Sequence, residues 1–219
     1  MSKPSTKTAL QGARTAADPT SKGSQRRADR YEQLIAASAA IFGRKGYDAT
    51  SLQEIADEIG LLKGSLYYYI DTKEDLLFAV LEKVHEAIVG HNEAWRDLQD
   101  DPIAALRSFI SGHTRLTIEN LTYAEVYFRE YRSLVPERMN LIIAARDSYE
   151  SSFRTLIRQA NEAGMLRPGV TPAFAARAVF GILNWVYYWY RPEGPLGMDE
   201  VVFELTEYAM ASLLGRTTA

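Results

Sequence analysis

The chain has 219 residues, of which 47 % are hydrophobic and 24 % charged, and it contains no cysteine. This composition is typical of one or two globular domains and excludes a wholly disordered or collagen-like chain. The lack of cysteine excludes a disulfide scaffold, a cysteine-ligated metal site and a thiol nucleophile, and it favours a reducing, cytoplasmic location.

Charge is unevenly distributed along the chain, although the formal net charge is only −3. Residues 1–73 contain 11 Lys and Arg against 8 Asp and Glu, whereas residues 74–219 contain 14 against 20. A basic end joined to an acidic body indicates either an anionic partner at that end or a solvated tail that keeps the protein soluble.

Residues 1–25 are rich in Ser, Thr, Ala and Lys and lack an apolar period, so we predict a disordered basic arm. No apolar segment of a secretory signal follows the first basic residues. The longest strongly apolar stretch, residues 181–190, is about half the length of a membrane span and contains Asn184, so no membrane partner is expected.

From residue 26 onward, apolar residues recur at helical spacing and no strand-like alternation is found, which predicts an all-α fold. Capping residues before helix starts, prolines at first helical positions and glycines after helix ends divide the chain into about nine helices. The predicted spans are 26–45, 51–59, 62–69, 73–97, 102–119, 123–134, 136–163, 172–190 and 199–214.

The first three helices, within residues 26–72, predict a helix-turn-helix unit because Gly60 allows a very tight turn between the second and third. If Leu66 and Ile70 face inward, the third helix exposes a polar and aromatic surface suited to the DNA major groove. That surface consists of Lys63, Gly64, Ser65, Tyr67 and Tyr68. The alternative is that the tyrosines only cover a core.

Residues 30–77, which include the segment AAIFGRKGYDATSLQEIADEIGLLKGSLYYYIDTKEDLL, resemble the DNA-binding unit of the TetR family of bacterial transcriptional repressors. The matched positions are Ala40, Phe42, Gly46, Thr50, Ile55, Ala56, Gly60, Gly64, Leu66, Tyr67, Lys73, Glu74 and Leu76. The resemblance implies a homodimer that binds a double-stranded DNA operator and releases it when a small molecule binds the C-terminal domain.

The resemblance also implies roles for residues outside the third helix. Thr50 and Ser51 would bond one phosphate and Lys73 a second, because helix N-termini favour anions. Arg26 and Arg27, with Arg30, would add backbone or minor-groove contacts.

Two positions depart from the family pattern. Leu62 stands where the family usually has Ser or Thr, which removes a hydroxyl that could bond phosphate. Ile70 replaces the usual Phe, a volume change that a small core tolerates.

Residues 73–219 are numerous enough to form a ligand-binding and dimerisation domain with its own core. The helix predicted at 172–190 is apolar around most of its circumference, so it must be covered on more than one side. We expect it to form, with the helix at 199–214, an interface with a second copy of the chain. The alternative is a central core helix in a monomer.

Apolar, aromatic and polar residues are interleaved in the middle helices, as in a cavity for a small apolar effector. The candidates are Phe109, His113, Thr117, Tyr123, Tyr127, Arg146, Tyr149, Phe153, Ile157, Asn184 and Trp185. Each of them can also be an ordinary core or surface residue.

A second segment, NWVYYWYRPEGPL at residues 184–196, is similar to the tail motif of TetR members that respond to acyl-coenzyme A thioesters. By implication Trp185 and Trp189 would line the acyl or ring part of the effector. A cation would meet its phosphates, with Arg146, Arg177 and Arg191 as candidates, although Arg191 can instead anchor the loop before Pro192.

An enzyme is not expected. The histidines are His85, His91 and His113, and the six-residue spacing of the first two is not that of a zinc protease. No phosphate loop or dinucleotide fingerprint is present, so neither a cofactor nor a metal is predicted. The remaining alternatives are a ligand-binding module that does not bind DNA and a transcriptional activator with the same parts.

Overall fold

The computed structural model describes residues 22–96, 98 and 100–214, and this part of the chain is helical without strands, as predicted. A single 3₁₀ turn, Tyr131–Ser133, lies between the sixth and seventh helices. The ten α-helices of the described residues are α1 (Lys22–Lys45), α2 (Leu52–Glu58), α3 (Lys63–Leu66), α4 (Lys73–Arg96), α5 (Pro102–Glu119), α6 (Leu121–Glu130), α7 (Pro136–Glu162), α8 (Pro172–Asn184), α9 (Val186–Trp189) and α10 (Met198–Leu214).

Several predicted helix boundaries differ from the structure, and α3 ends at Leu66, three residues before its predicted end. Helix α1 begins at Lys22, so the last four residues assigned to the arm are helical, whereas residues 1–21 lie outside the described part. Helix α6 begins at Leu121, two residues before its predicted start, and ends at Glu130. The helix predicted at 172–190 is two helices, because the chain tightens at Trp185, whose N–H bonds the carbonyl of Leu183.

Side-chain capping explains the starts of α2 and α4. Ser51 and Glu54 form a complete capping box on α2, and Thr72 and Asp75 make the reciprocal pair of bonds before α4. Gly60, with φ +65°, allows the tight reversal between α2 and α3, as predicted.

Helices α1–α3, here called the headpiece, pack on the first half of α4. Their buried residues include Phe42, Ile55 and Leu66, which share one core with Leu77 of α4 and Val126 of α6. The core is therefore continuous across the predicted boundary at residue 72.

Helices α4–α10, here called the body, surround α5, which contacts α4, α7, α8 and α10. A second core is centred on stacked aromatic rings, with Phe109 of α5 packed on Phe153 of α7 and Phe180 of α8. None of the helices in the described residues is long and apolar enough to cross a membrane.

Candidate nucleic-acid interface and internal cavity

Helix α3 presents the surface that the sequence predicts. Leu66 and Ile70 are buried, whereas Tyr67 is 52 % exposed and Tyr68 62 % exposed. Lys63, Gly64 and Ser65 are exposed as well. The interpretation that the tyrosines only cover a core is therefore wrong for these two, although the neighbouring Tyr69 does pack on the headpiece core.

The basic start of α1 lies beside this surface. The guanidinium carbon of Arg27 is 4.5 Å from the centroid of the Tyr68 ring, a cation–π distance. Arg26 is exposed next to it. Cationic side chains of α1 and the two tyrosines that follow α3 therefore lie next to each other.

The two residues before α2 have different environments. Ser51 is exposed, and its hydroxyl accepts a bond from the Glu54 N–H as the N-cap of α2. Thr50 is buried, and its hydroxyl donates to the carbonyl of Gly46 at 2.7 Å. Thr50 therefore holds the loop between α1 and α2, and its hydroxyl is not on the surface.

Lys73 at the start of α4 also contacts this loop. Its Nζ donates to the carbonyls of Tyr47 and Thr50, both at 2.9 Å, and lies 4.2 Å from the centroid of the Tyr47 ring. In this conformation the ammonium group fixes the α1–α2 loop to α4, a role that the sequence pattern did not indicate.

A polar junction ties the start of α4 to the start of α7. Arg138 forms ion pairs with Glu74 and Asp75, and the Val135 N–H donates to Glu74 at 3.1 Å. Burial raises the pKa of Asp75, but bonds from Arg138 and Thr72 outweigh it and hold that pKa below its ordinary value. The carboxylate is therefore the stable form, and the junction stays charged.

A cavity of about 90 Å³ lies inside the body, between α4, α5, α6, α7 and α8. Most of its lining is apolar, with polar groups at a few points. The lining residues are Val84, Ala87, His113, Leu116, Thr117, Asn120, Ala124, Tyr127, Phe128, Arg146, Tyr149, Glu150, Phe180 and Asn184. The structure thereby brings together six of the predicted ligand residues, namely His113, Thr117, Tyr127, Arg146, Tyr149 and Asn184.

A buried hydrogen-bonded chain forms one wall of the cavity. His113 Nε2 lies 2.9 Å from Asn184 Oδ1, and His113 Nδ1 lies 3.1 Å from the Tyr149 hydroxyl. Burial raises the pKa of Tyr149, so its hydroxyl stays protonated and donates to Nδ1. His113 donates from Nε2 to the amide oxygen of Asn184, because that oxygen can only accept.

Tyr127 adds a second buried hydroxyl to the cavity wall. Burial raises the pKa of Tyr127 to about 12, so this group is also neutral near pH 7. Arg146, by contrast, is exposed at the cavity rim, where its Nε lies 3.8 Å from the Asp147 carboxylate. The neutral hydroxyls of Tyr127 and Tyr149 therefore lie in the cavity wall, and its charged lining residues are one cation, Arg146, and one carboxylate, Glu150.

The other predicted ligand residues do not line the cavity. Phe109 and Phe153 stack on each other at 4.5 Å in the closed core, to which Ile157 also belongs. Tyr123 packs against the headpiece core instead.

The two predicted tryptophans also lie away from the cavity. Trp185 and Trp189 are exposed on the outer side of the body, because the chain turns at the end of α8. The expectation that they line an internal site is therefore wrong for this conformation.

Sequence reasoning missed eight of the fourteen lining residues, and two of them, Phe180 and Glu150, could have been found. Each lies four positions from a residue that was predicted, Asn184 and Arg146 respectively, and so shares its helix face. This four-residue spacing from a predicted residue is the sequence pattern that could have identified them.

The outer side of α8, α9 and α10 carries a concentration of exposed apolar side chains. This outer face, as we call it, is formed by Phe174, Ile182, Trp185, Tyr188, Trp189, Phe203 and Tyr208. Arg191 is next to it and donates to the carbonyls of Tyr188 and Tyr190, which is the loop-anchoring role given as its alternative. A concentration of exposed apolar side chains of this kind is typical of an interaction surface.

Within the described residues, no three His, Asp or Glu side chains lie close enough together to hold a metal ion.

Comparison with known families assigns both parts of the chain. Residues 34–80 match the family described as bacterial regulatory proteins, tetR family, and residues 99–213 match the tetracyclin repressor-like C-terminal domain. Among curated proteins, the transcriptional repressor KstR2 of Mycolicibacterium smegmatis is 26 % identical over 176 residues, which cover 80 % of this chain and 85 % of that protein.

Solved structures show the same fold. The TetR-family regulator PfmR from Thermus thermophilus is 33 % identical and superposes with a TM-score of 0.74, covering 84 % of this chain and 99 % of that one. AibR, solved in complex with isovaleryl coenzyme A and operator DNA, is 26 % identical with a TM-score of 0.71, covering 84 % of this chain and 98 % of that one.

Proposed function

Because this chain belongs to the TetR family of bacterial transcriptional regulators, we propose that it is a homodimeric repressor that releases operator DNA when a small apolar effector binds. The observation that carries the proposal is that the exposed helix α3 and the internal cavity are both joined to the headpiece core, which contains Leu66 of α3 and Tyr127 of the cavity lining. Helix α4 takes part in both regions, since it packs against α1 and contributes Val84 and Ala87 to the cavity.

On the DNA side, α3 enters the major groove and the start of α1 follows the backbone. Lys63 neutralises phosphate, Ser65 and the hydroxyls of Tyr67 and Tyr68 bond base edges or phosphates, and Gly64 permits close approach. Their shared exposure supports these roles. The contact of Arg27 with Tyr68 supports a joint phosphate-binding edge.

Thr50 and Lys73 contribute indirectly in this scheme, because their polar groups hold the α1–α2 loop. Ser51 and the exposed first turn of α2 are then the groups that reach phosphate. A phosphate contact by Lys73 would require its Nζ to leave at least one of the loop carbonyls.

Dimerisation uses the outer face of α8–α10. Phe174 is 72 % exposed and Phe203 60 % exposed, an unfavourable arrangement for an isolated chain in water. Covering this face with a second copy buries it and holds two recognition helices at the spacing of successive major grooves, about 34–36 Å.

The effector is an apolar molecule with an anionic end, and an acyl-coenzyme A thioester has this form. The apolar lining accepts the acyl part, and Arg146 at the rim is placed to meet a phosphate. The isovaleryl coenzyme A bound by AibR supports this class of ligand. Trp185 and Trp189 have no part in this version of the site, because they lie on the outer face.

Cavity size suggests how binding is coupled to release. The present volume of about 90 Å³ is below the range of about 300–1,000 Å³ usual for ligand pockets. An acyl-coenzyme A therefore fits only a wider form, and binding shifts the population toward that form. Widening displaces α4 or α7, whose starts are joined by Arg138, and so changes the headpiece spacing.

The test combines DNA binding with effector release. Fluorescence anisotropy with duplex DNA from upstream of the gene should give saturable binding whose affinity falls steeply with salt. Isovaleryl-coenzyme A or longer acyl thioesters should release the DNA, whereas free coenzyme A should not. Arg146→Gln should weaken release, and Arg154→Gln, which removes the same charge elsewhere on α7, should not.

Other outcomes of the same assays would contradict the proposal. Binding of acyl thioesters without any affinity for DNA would identify a ligand-binding module instead. In vitro transcription that rises when the protein is added would identify an activator.

A further inference from the structure

Leu62 is the most exposed of the large hydrophobic side chains in the described residues, at 80 %. It is the N-cap residue of α3, with extended backbone angles φ −70° and ψ 139°, and its side chain makes no capping bond. Its carbonyl accepts the first bond of the helix from the Ser65 N–H at 2.8 Å, which fixes the residue at the helix start.

The headpiece fold gives no reason for leucine at this position. Ser, Thr, Asp or Asn at an N-cap would satisfy a free N–H of the first turn, which leucine cannot do. The adjacent Leu61 already packs on the headpiece core, so the core does not need Leu62 either. An apolar side chain that neither caps nor packs is available for a partner.

The surroundings of Leu62 favour a polyanion over an apolar protein surface. Lys63 and Ser65 are exposed beside it on the same short helix, and Arg27 stacks on Tyr68 of the same face. In DNA, the apolar group that protrudes into the major groove is the C5-methyl of thymine. Residues at the start of a recognition helix are the ones that reach base edges.

We propose that Leu62 is a specificity-determining residue that packs on a thymine C5-methyl group in each half of the DNA site. The inference rests on the proposed function, because it needs α3 to lie in the major groove. At this position the family usually has Ser or Thr. With leucine there, this chain exchanges a phosphate contact for the reading of one base.

The test removes the methyl group alone. Duplexes bound by the wild-type protein are selected from a random pool, and each thymidine of the selected site is then replaced by 2′-deoxyuridine. We expect one position in each half-site to lose affinity about fourfold on replacement, the value for burial of one methyl group. Replacing both positions should cost about tenfold or more.

Leu62→Ser should bind the thymidine and deoxyuridine duplexes equally well. Because serine is a good N-cap, this variant should fold with an unchanged or higher Tm. Leu141→Ser is the matched control, since Leu141 is an exposed leucine of α7 outside the headpiece, and it should keep the wild-type preference for thymidine.

Two results would overturn the inference while leaving DNA binding intact. Wild-type protein that tolerates every deoxyuridine replacement does not read a methyl group. A Leu62→Ser variant with undiminished sensitivity to the replacement reads the methyl group through another residue. If no duplex is selected at all, the proposed function fails and this inference with it.

Discussion

The headpiece and the body use their polar residues in opposite ways. In the headpiece, Lys63, Ser65 and Tyr67 point to solvent from one short segment. In the body, His113, Tyr149 and Asn184 come from three different helices and point at one another in the interior. The recognition surface is therefore encoded locally, whereas the cavity exists only once five helices have packed.

This difference predicts a division of labour. The headpiece determines which duplex is bound, and the body determines whether two headpieces are held at the spacing that the duplex requires. Changes in the two regions should therefore be separable, and the following predictions test how far the separation holds.

The largest effect is expected from a change in the body. Phe203→Glu places a charge on the outer face and should yield monomers, with a loss of DNA affinity of about 100-fold or more because the two half-sites are no longer linked. Light scattering measures the mass of the protein in solution, and fluorescence anisotropy measures its affinity for DNA. Met165→Glu, at another exposed apolar residue, should neither dissociate the dimer nor lower the DNA affinity. A Phe203→Glu dimer with normal affinity would contradict the assigned interface.

Tyr67→Ala, in the headpiece, should weaken DNA binding and leave the body unaffected. Because each protomer then lacks one interaction with DNA, of about 1–3 kcal/mol, the affinity should fall at least tenfold. The dimer mass and the affinity for acyl-coenzyme A should not change. Tyr67→Phe keeps the aromatic ring and should lose less DNA affinity than Tyr67→Ala. Unchanged binding by Tyr67→Ala would refute the recognition surface.

Lys73→Met tests the contact between the two regions. Losing bonds from a charged donor to the loop carbonyls should lower the free energy of unfolding by about 1–3 kcal/mol. Thermal unfolding measures it, with the exposed Lys63→Met as a control that should stay within about 0.5 kcal/mol of the wild type. If instead stability is unchanged and the salt dependence of DNA binding weakens, Lys73 serves as the phosphate contact that the resemblance implies.

The smallest effect concerns pH and the body alone. The pKa of Tyr127 is raised to about 12 in the folded protein. The contribution of its neutral hydroxyl to the free energy of unfolding is therefore complete below pH 10 and is lost as the pH rises toward 12. Relative to Tyr127→Phe, the free energy of unfolding of the wild type should decline in this window by at most about 3 kcal/mol. Denaturant titrations at pH 9 and pH 11 measure this decline. If both proteins lost the same free energy of unfolding between these pH values, the buried environment of Tyr127 would be contradicted.

The comparison also explains which features could be predicted from the sequence. The capping box at Ser51, the left-handed Gly60 and the exposed Tyr67 depend on residues a few positions apart, so their patterns predict them. The internal roles of Thr50 and Lys73 depend on loop carbonyls that no residue pattern specifies.

For the cavity, the inward-facing side of each helix could be predicted from the sequence. Which residues on that side reach the cavity, and which lie in the closed core, could not. Phe109 and His113 are four residues apart on the same face of α5, yet His113 lines the cavity while Phe109 closes the core beneath it. Trp185 was expected beside Asn184 because one continuous helix was assumed. Neighbouring residues of a helix point about 100° apart, and here Asn184 faces the cavity while Trp185 faces outward.

The different directions of Asn184 and Trp185 have a consequence for the shape of the response. Asn184 bonds His113 at the cavity, and the next residue, Trp185, lies on the outer face where we place the second protomer. In the proposed dimer, this places the cavity of one subunit one residue away from the surface of its neighbour. We expect occupation of one cavity to change the affinity of the other, which effector titrations would show as a Hill coefficient different from one.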